Sequence, residues 1–151
     1  MTSTTTDDRP RSREIGATAK HWIEEILLGS PVAETSGVEL VDAEYDRIHL
    51  RLPFADRLVT VPGVLHGGVI ATVIDIAAAA ALATGIRDDD GVTGGATSHL
   101  NIAYLRPATG TVDVVATVVH RTRSLTQSDV AVRGTDGTLV ATGQATSRLF
   151  H

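Results

Sequence analysis

His66, Gly67 and Gly68 stand directly ahead of an almost wholly apolar run, and within that run, in "VPGVLHGGVIATVIDIAAAAALAT" from Val61 to Thr84, there is a single acid, Asp75. The pair of glycines opens a predicted helix, where the first backbone N–H groups have no internal acceptor and the helix dipole is positive. Such a terminus can hold a developing oxyanion, and glycine there lets a ligand come close to the backbone. A carboxylate inside an apolar helix costs several kcal/mol if it stays charged and unpaired. Asp75 therefore needs a hydrogen-bonded niche, a cleft or a subunit interface, and a carboxylate so placed suits a general base or a nucleophile. His66, just before the helix, could hydrogen-bond either the preceding loop or a substrate carbonyl.

These residues have to be positioned by the elements around them. In "REIGATAKHWIEEILLGSP", Ile15, Trp22, Ile23, Ile26 and Leu27 fall at near-helical spacing, and Gly29-Ser30-Pro31 reads as the helix stop. Two strands joined by a tight turn near Glu44 to Arg47 follow, with Ile48, Leu50 and Leu52 on one face. Arg57 to Leu65 reads as a loop punctuated by Pro62 and Gly63. The apolar helix comes next, ending near Thr84-Gly85, where glycine can take a left-handed cap, and "RDDDGVTGG" is a polar connection.

From Ala96 the period changes to four β-rich runs, parted by Pro107-Ala108-Thr109-Gly110, by polar residues near Ser124 and by Thr135-Asp136-Gly137. Four strands in series predict an antiparallel meander, and the Asp-Gly pair marks its last hairpin. A helix apolar on all sides must be buried on nearly all sides. The economical solution is an α+β hotdog fold, one curved antiparallel six-stranded sheet wrapped around a long central helix, with a short helix at the amino end.

With 151 residues the chain is read as a polar lead-in over 1–13 and a single domain over 14–151. Its net charge of -5, with no long basic block, argues against nucleic acid as a partner. The amino-terminal residues contain no apolar core and are not read as a secretory signal. The apolar run is interrupted by Asp75, is mostly alanine and lacks flanking basic or aromatic anchors, so no membrane partner is expected. Cysteine is absent, which removes thiol nucleophiles and thiolate metal sites and suits a reducing, cytoplasmic setting. Histidines and acids show no close metal-ligand spacing, and neither a metal nor another cofactor is expected.

"GVLHGGVIATVID", followed after the helix by "TSHLNIAYLRPATG", resembles the hotdog-fold acyl-CoA thioesterases of the phenylacetate-pathway (PaaI-like) type, over about Val38 to Leu149. The resemblance implies hydrolysis of an acyl-CoA to a free acid and CoA. It gives Gly67 N–H the task of polarising the thioester carbonyl, with Gly68 as support, and makes Asp75 the base or nucleophile. It also aligns an assisting hydroxyl with Thr97. Strict alternation puts Thr97, His99 and Asn101 on one face of the strand and Ser98, Leu100, Ile102 and Tyr104 on the other, which leaves Ser98 as the rival unless the strand is bulged. Members of the family usually carry an asparagine six positions before the histidine, where this chain has Thr60. A hydroxyl cannot reproduce an amide's separate donor and acceptor ends.

Gly67 and Asp75 are eight residues apart, about 12 Å of helix rise, whereas a reacting carbonyl must lie within about 3.5 Å of both polariser and base. Two chains with their helices antiparallel can supply both. This agrees with the family's sites at dimer interfaces, and family members are commonly dimers of dimers, so a homodimer is required and a homotetramer is implied by analogy. Arg121 and Arg123 in "HRTRS" could meet the phosphates of coenzyme A, with Arg106 a smaller candidate. Two other functions remain open. One is an acyl-CoA-binding hotdog module without turnover, suggested by Thr60. The other is a hydroxyacyl-thioester dehydratase, suggested by "PGVL" and weakened by the lack of histidine between Leu50 and Leu65.

Overall fold

A computed structural model describes residues 14–151, and the lead-in expected over 1–13 lies outside the described residues. The first helix, α1 (Ala17–His21), runs on into a wider π-helical turn over Trp22–Leu27. Ala19 and Ile23, four apart, are buried against the core. The Leu28 N–H bonds back five residues to Ile23 O, and this wider winding carries Ile26 out of the apolar stripe to 44% exposure. Gly29-Ser30-Pro31 stops this segment but also starts another. Ser30 Oγ accepts from Ala33 N–H, Pro31 takes the first helical position, and α2 (Pro31–Ser36) closes on Gly37 with φ 78°. Pro31, expected only to end a helix, also begins one.

Strands β1 (Glu39–Glu44) and β2 (Arg47–Leu52) form the expected hairpin, turning through Asp46 at φ 65°. Ile48, Leu50 and Leu52 are fully buried, as their alternation predicts. The segment read as a loop is more ordered than that. A 3₁₀ turn (Asp56–Leu58) leads into a two-stranded ribbon, β3 (Val59–Val61) and β4 (Val64–Leu65). It folds on Pro62-Gly63, with Gly63 at φ 82°, the residue order of a type II turn.

The central helix α3 (Gly67–Ala83) buries Ile70, Val73, Ile74 and four of the alanines from Ala77 to Ala81. It packs against β2 and against the four later strands, β5 (Gly94–Tyr104), β6 (Val112–Arg121), β7 (Leu125–Gly134) and β8 (Leu139–Phe150). A Cβ at Gly143 on β8 would lie 2.8 Å from Ile74 Cγ2, so a glycine lets the sheet approach the helix here. Among the described residues no helix is long and apolar enough to cross a membrane.

All pairings are antiparallel, and the sheet order is β1-β2-β6-β7-β8-β5. This is the hotdog arrangement, but the expected four-strand meander is shortened to β6–β7–β8. After the helix the chain enters β5 at the far edge, beside β8, and then returns to lay β6 against β2. That crossover brings the sheet around both flanks of α3, which a hairpin between β5 and β6 would not do. The β7–β8 turn follows the Asp-Gly expectation. Gly137 has φ 84°, and Asp136 Oδ1 accepts from Thr138 N–H at 2.9 Å.

The helix end differs from expectation. Thr84 caps it in right-handed geometry, and Gly85 is not left-handed. A Cβ at Gly85 would instead collide with the guanidinium of Arg121. Arg121 donates to Leu82 O at 3.0 Å and to Ala81 O at 2.9 Å, adding to the bonds these carbonyls accept from Gly85 N–H and from the Thr84 hydroxyl.

Candidate active site

His66 is the N-cap of α3. Its backbone is extended, and its Nδ1 accepts the Gly68 N–H at 2.8 Å, while its own N–H bonds Leu58 O at 2.8 Å. The ring thus caps the helix itself and does not bond the preceding loop, which only the His66 backbone N–H reaches. One amide of the pair is thereby occupied. The Gly67 N–H, first in the helix, has no acceptor among the described residues. A Cβ on Gly68 would stand 3.0 Å from His66 Nδ1, so a larger residue would press on the capping ring. Tyr104, at the end of β5, donates its hydroxyl to Gly67 O at 2.8 Å and sets its ring edge against Gly67. Strand alternation gives Tyr104 a face and no role; the available signal is its hydroxyl, which seeks a partner wherever the ring packs against the protein.

Asp75, two turns further along α3, is half-buried. Thr97 Oγ1 donates to Asp75 Oδ1 at 2.6 Å, the short distance typical of a hydroxyl bonded to a carboxylate. Ser98 does not compete, because the strand is bulged. Thr97 pairs with Ser147 and His99 with Thr146, which leaves Ser98 as the extra residue, and its hydroxyl goes to Thr146 O at 3.2 Å. The same bulge overturns the face assignment made by strict alternation. Thr97 shares the helix-facing side with Leu100 and Ile102, while His99 and Asn101 are exposed on the other.

Around Asp75 the helix is only partly covered. Gly68, Thr72, Asp75 and Ala79 recur at helical spacing along a stripe that the sheet leaves open. Thr72 Oγ1 turns back to Gly68 O at 2.8 Å and so does not approach Asp75. On the buried side, Thr97 is followed across the sheet by Ser147 on β8 and Thr126 on β7 in register. Thr126 Oγ1, Ser147 Oγ and the neighbouring Ser128 Oγ are buried and have no hydrogen-bond partner among the described residues.

The structure thus brings together two groups of sequence-predicted residues, His66 with Gly67 and Gly68, and Asp75 with Thr97. Within one chain it does not bring the two groups to one point, since eight residues of helix, about 12 Å, separate Gly67 from Asp75. Thr60 is exposed on β3. Arg121 is not available for a phosphate. Besides the helix carbonyls, its Nε bonds Asp46 Oδ1 at 2.7 Å and its guanidinium lies 5.3 Å from the centroid of the Tyr45 ring. Arg123 is exposed in the β6–β7 turn, and Arg106 bonds Leu139 O at 2.8 Å. No three histidines, aspartates or glutamates gather as metal ligands among the described residues. What the arrangement offers is a helix-terminal amide donor and a hydroxyl-assisted carboxylate, the equipment for attack on an activated carbonyl.

The sequence pattern of the thioesterase superfamily matches residues 62–141, a span that takes in α3, Asp75 and Thr97. A candidate esterase of Halobacterium salinarum is 31% identical over 124 residues, covering 76% of this chain and 82% of that relative. Among solved structures, a thioesterase family protein from Silicibacter pomeroyi has a TM-score of 0.79 at 24% identity, over 87% of this chain and 98% of its own. The E. coli PaaI protein, from the phenylacetic acid degradation operon, has a TM-score of 0.77 at 17% identity, over 91% of this chain and 97% of its own. At these identities the two structural likenesses are likenesses of fold.

Proposed function

The chain belongs to the thioesterase superfamily and is a thioester hydrolase, and from that premise we propose that it hydrolyses an acyl-CoA to a free acid and CoA at a site shared by two copies of the chain. The observation that carries the reading is the 2.6 Å bond from Thr97 to Asp75, beside the open stripe of α3. A carboxylate held by a hydroxyl and still partly exposed beside that stripe is placed to act on something that arrives from outside. Two further features favour a second copy as the missing half. The stripe beside Asp75 includes small residues, Gly68 and Ala79, which allow close helix approach, and β5 is an eleven-residue edge strand whose outer side has no strand partner among the described residues.

In this reading the thioester carbonyl lies against the Gly67 N–H of one copy and near Asp75 of the other. Asp75 takes a proton from water as the water oxygen attacks the acyl carbon; alternatively, its own oxygen attacks to give a mixed anhydride that water then hydrolyses. The oxyanion forms at the Gly67 amide, and its collapse expels the CoA thiolate, which takes up the proton held by Asp75 in the first route or one from water in the second. Thr97 steadies the carboxylate. Thr60, in place of the family's usual asparagine, offers a single hydroxyl for orienting water or nucleophile. Arg123, exposed and near the end of β6, is the arginine left for the CoA phosphates. A dimer of dimers and a cytoplasmic setting complete the proposal.

The test is release of free CoA from short, medium, long and aryl acyl-CoAs, run on wild type and Asp75→Asn in parallel. A loss of about a hundredfold or more in kcat with binding intact supports Asp75 as base or nucleophile. Tight binding of the panel without release, unchanged in Asp75→Asn, would instead make the chain a binding module.

A further inference from the structure

Two glycines in succession are a poor platform for aiming a hydrogen bond, because each backbone φ/ψ pair is nearly unrestrained. At Gly67-Gly68 that freedom is taken away by two side chains from outside the helix. The peptide unit joining the two glycines is planar, so its carbonyl and its N–H point to opposite sides. Tyr104 Oη donates to the carbonyl, Gly67 O, at 2.8 Å, and His66 Nδ1 accepts the Gly68 N–H at 2.8 Å. The plane is thus gripped at both ends. Its neighbour, the His66–Gly67 unit, is anchored through His66 O, which accepts from Val69 and Ile70 N–H. The group left without an acceptor among the described residues is the Gly67 N–H, in a residue that lines a surface groove.

Tyr104 is 55% exposed, at the last position of an edge strand, where a side chain normally gains little by reaching back. Its ring edge nonetheless comes within 3.4 to 3.6 Å of where a Gly67 Cβ would stand. We infer that Tyr104 is a positioning residue: with His66 it locks the two-glycine turn so that the Gly67 N–H, and not the Gly68 N–H, is presented to the thioester carbonyl. The inference rests on the acyl-CoA hydrolysis proposed above. It adds a residue that does not itself touch the reacting atoms. The ring also forms part of the wall of a groove of ≈ 360 Å³, with Leu65, Gly67, Ile70 and Arg106 among its other lining residues. A role confined to that wall would act on binding alone.

Tyr104→Phe and Tyr104→Leu in the full chain separate these roles. Phenylalanine keeps the wall and removes the hydroxyl, so the clamp predicts that kcat falls about tenfold while KM stays within about twofold. Leucine also cuts the wall and should raise KM. A second measurement does not need turnover. In 15N-labelled protein, Tyr104→Phe should speed hydrogen exchange of the Gly68 amide about tenfold, with Ile74 in the middle of the same helix unchanged. Unchanged kcat in Tyr104→Phe, or faster exchange at Gly68 and Ile74 alike, overturns the inference. If wild type releases no CoA, acyl-CoA hydrolysis fails on its own account. The exchange arm still decides the clamp: Gly68 faster in the variant sustains it, and Gly68 unchanged sinks it.

Discussion

Thr97 reaches Asp75 across the space between sheet and helix, hydroxyl to carboxylate, at 2.6 Å, and it does so because Ser98 is squeezed out of the ladder as a bulge. Thr97→Val keeps the shape and removes the donor. The carboxylate then loses its one side-chain partner among the described residues, and kcat for CoA release should fall by about 10- to 100-fold. Thr97→Ser should retain most of the rate, and Ser98→Ala, whose hydroxyl serves only Thr146 O, should stay within about twofold of wild type. Steady-state kinetics on the three variants decides the matter. A Ser98→Ala defect equal to that of Thr97→Val would mean that the bulge does not select the working hydroxyl.

That bulge also shows where sequence pattern stops being informative. The central helix, Asp75 on it, the fully buried Ile48, Leu50 and Leu52, and the Asp136-Gly137 turn are local in origin, and each lies where periodicity or turn chemistry puts it. A bulge is one residue long, and it turns every later side chain to the opposite face of the strand. Nothing in "TSHLNIAY" distinguishes it from regular alternation. The position of β5 beside β8 and the gathering of Arg121 with Asp46, Tyr45 and the helix end depend on contacts between distant parts of the chain. The Ser30-Pro31 start of α2 was legible but ambiguous, since the same residues also end what precedes them.

Arg121 ties the far end of α3 to the β1–β2 turn, with its side chain only 15% exposed. Removing it leaves the carbonyls of Ala81 and Leu82 and the carboxylate of Asp46 without this donor. Arg121→Ala should therefore cost about 2 to 4 kcal/mol in urea unfolding. The KM for acyl-CoA in the fraction that remains folded should be unaffected. Arg123→Ala should do the reverse, leaving the unfolding midpoint in place and raising KM several-fold, with a steeper effect at low salt. A raised KM in Arg121→Ala without loss of stability would return Arg121 to the phosphate role.

The orphaned hydroxyls beneath α3 make a stability prediction opposite to the usual one. Threonine to valine in a core normally costs stability because a bonded hydroxyl is lost, but Thr126 Oγ1 is buried and has no partner among the described residues. Valine removes an unpaid desolvation penalty at nearly constant shape, so Thr126→Val should stabilise by about 1 kcal/mol and raise Tm by about 2 to 4 °C. Calorimetry on Thr126→Val reads this directly. A lower Tm would show that the hydroxyl has a bonded partner in solution.

Asp88 fastens the amino-terminal helix to the connection after α3, accepting the Thr18 N–H at 2.8 Å. That backbone hydrogen bond, with a further contribution from the Thr18 side chain, holds the Asp88 carboxyl below its ordinary value of 3.8. A carboxyl whose folded value is depressed contributes stability that is fully present above the unfolded value, and loses it as pH falls through the lower, folded value. The attachment of α1 should therefore be intact at pH 5 and weaken below about pH 4. Trp22, the chain's single tryptophan, lies in the turn that continues α1 and reports on it by fluorescence. Wild type should show an acid transition in Trp22 emission before the sheet unfolds by circular dichroism. Asp88→Asn should already give the altered emission at pH 5 and show little further change on acidification. Identical acid profiles for the two proteins would mean that α1 is held by the packing of Ala19 and Ile23 alone.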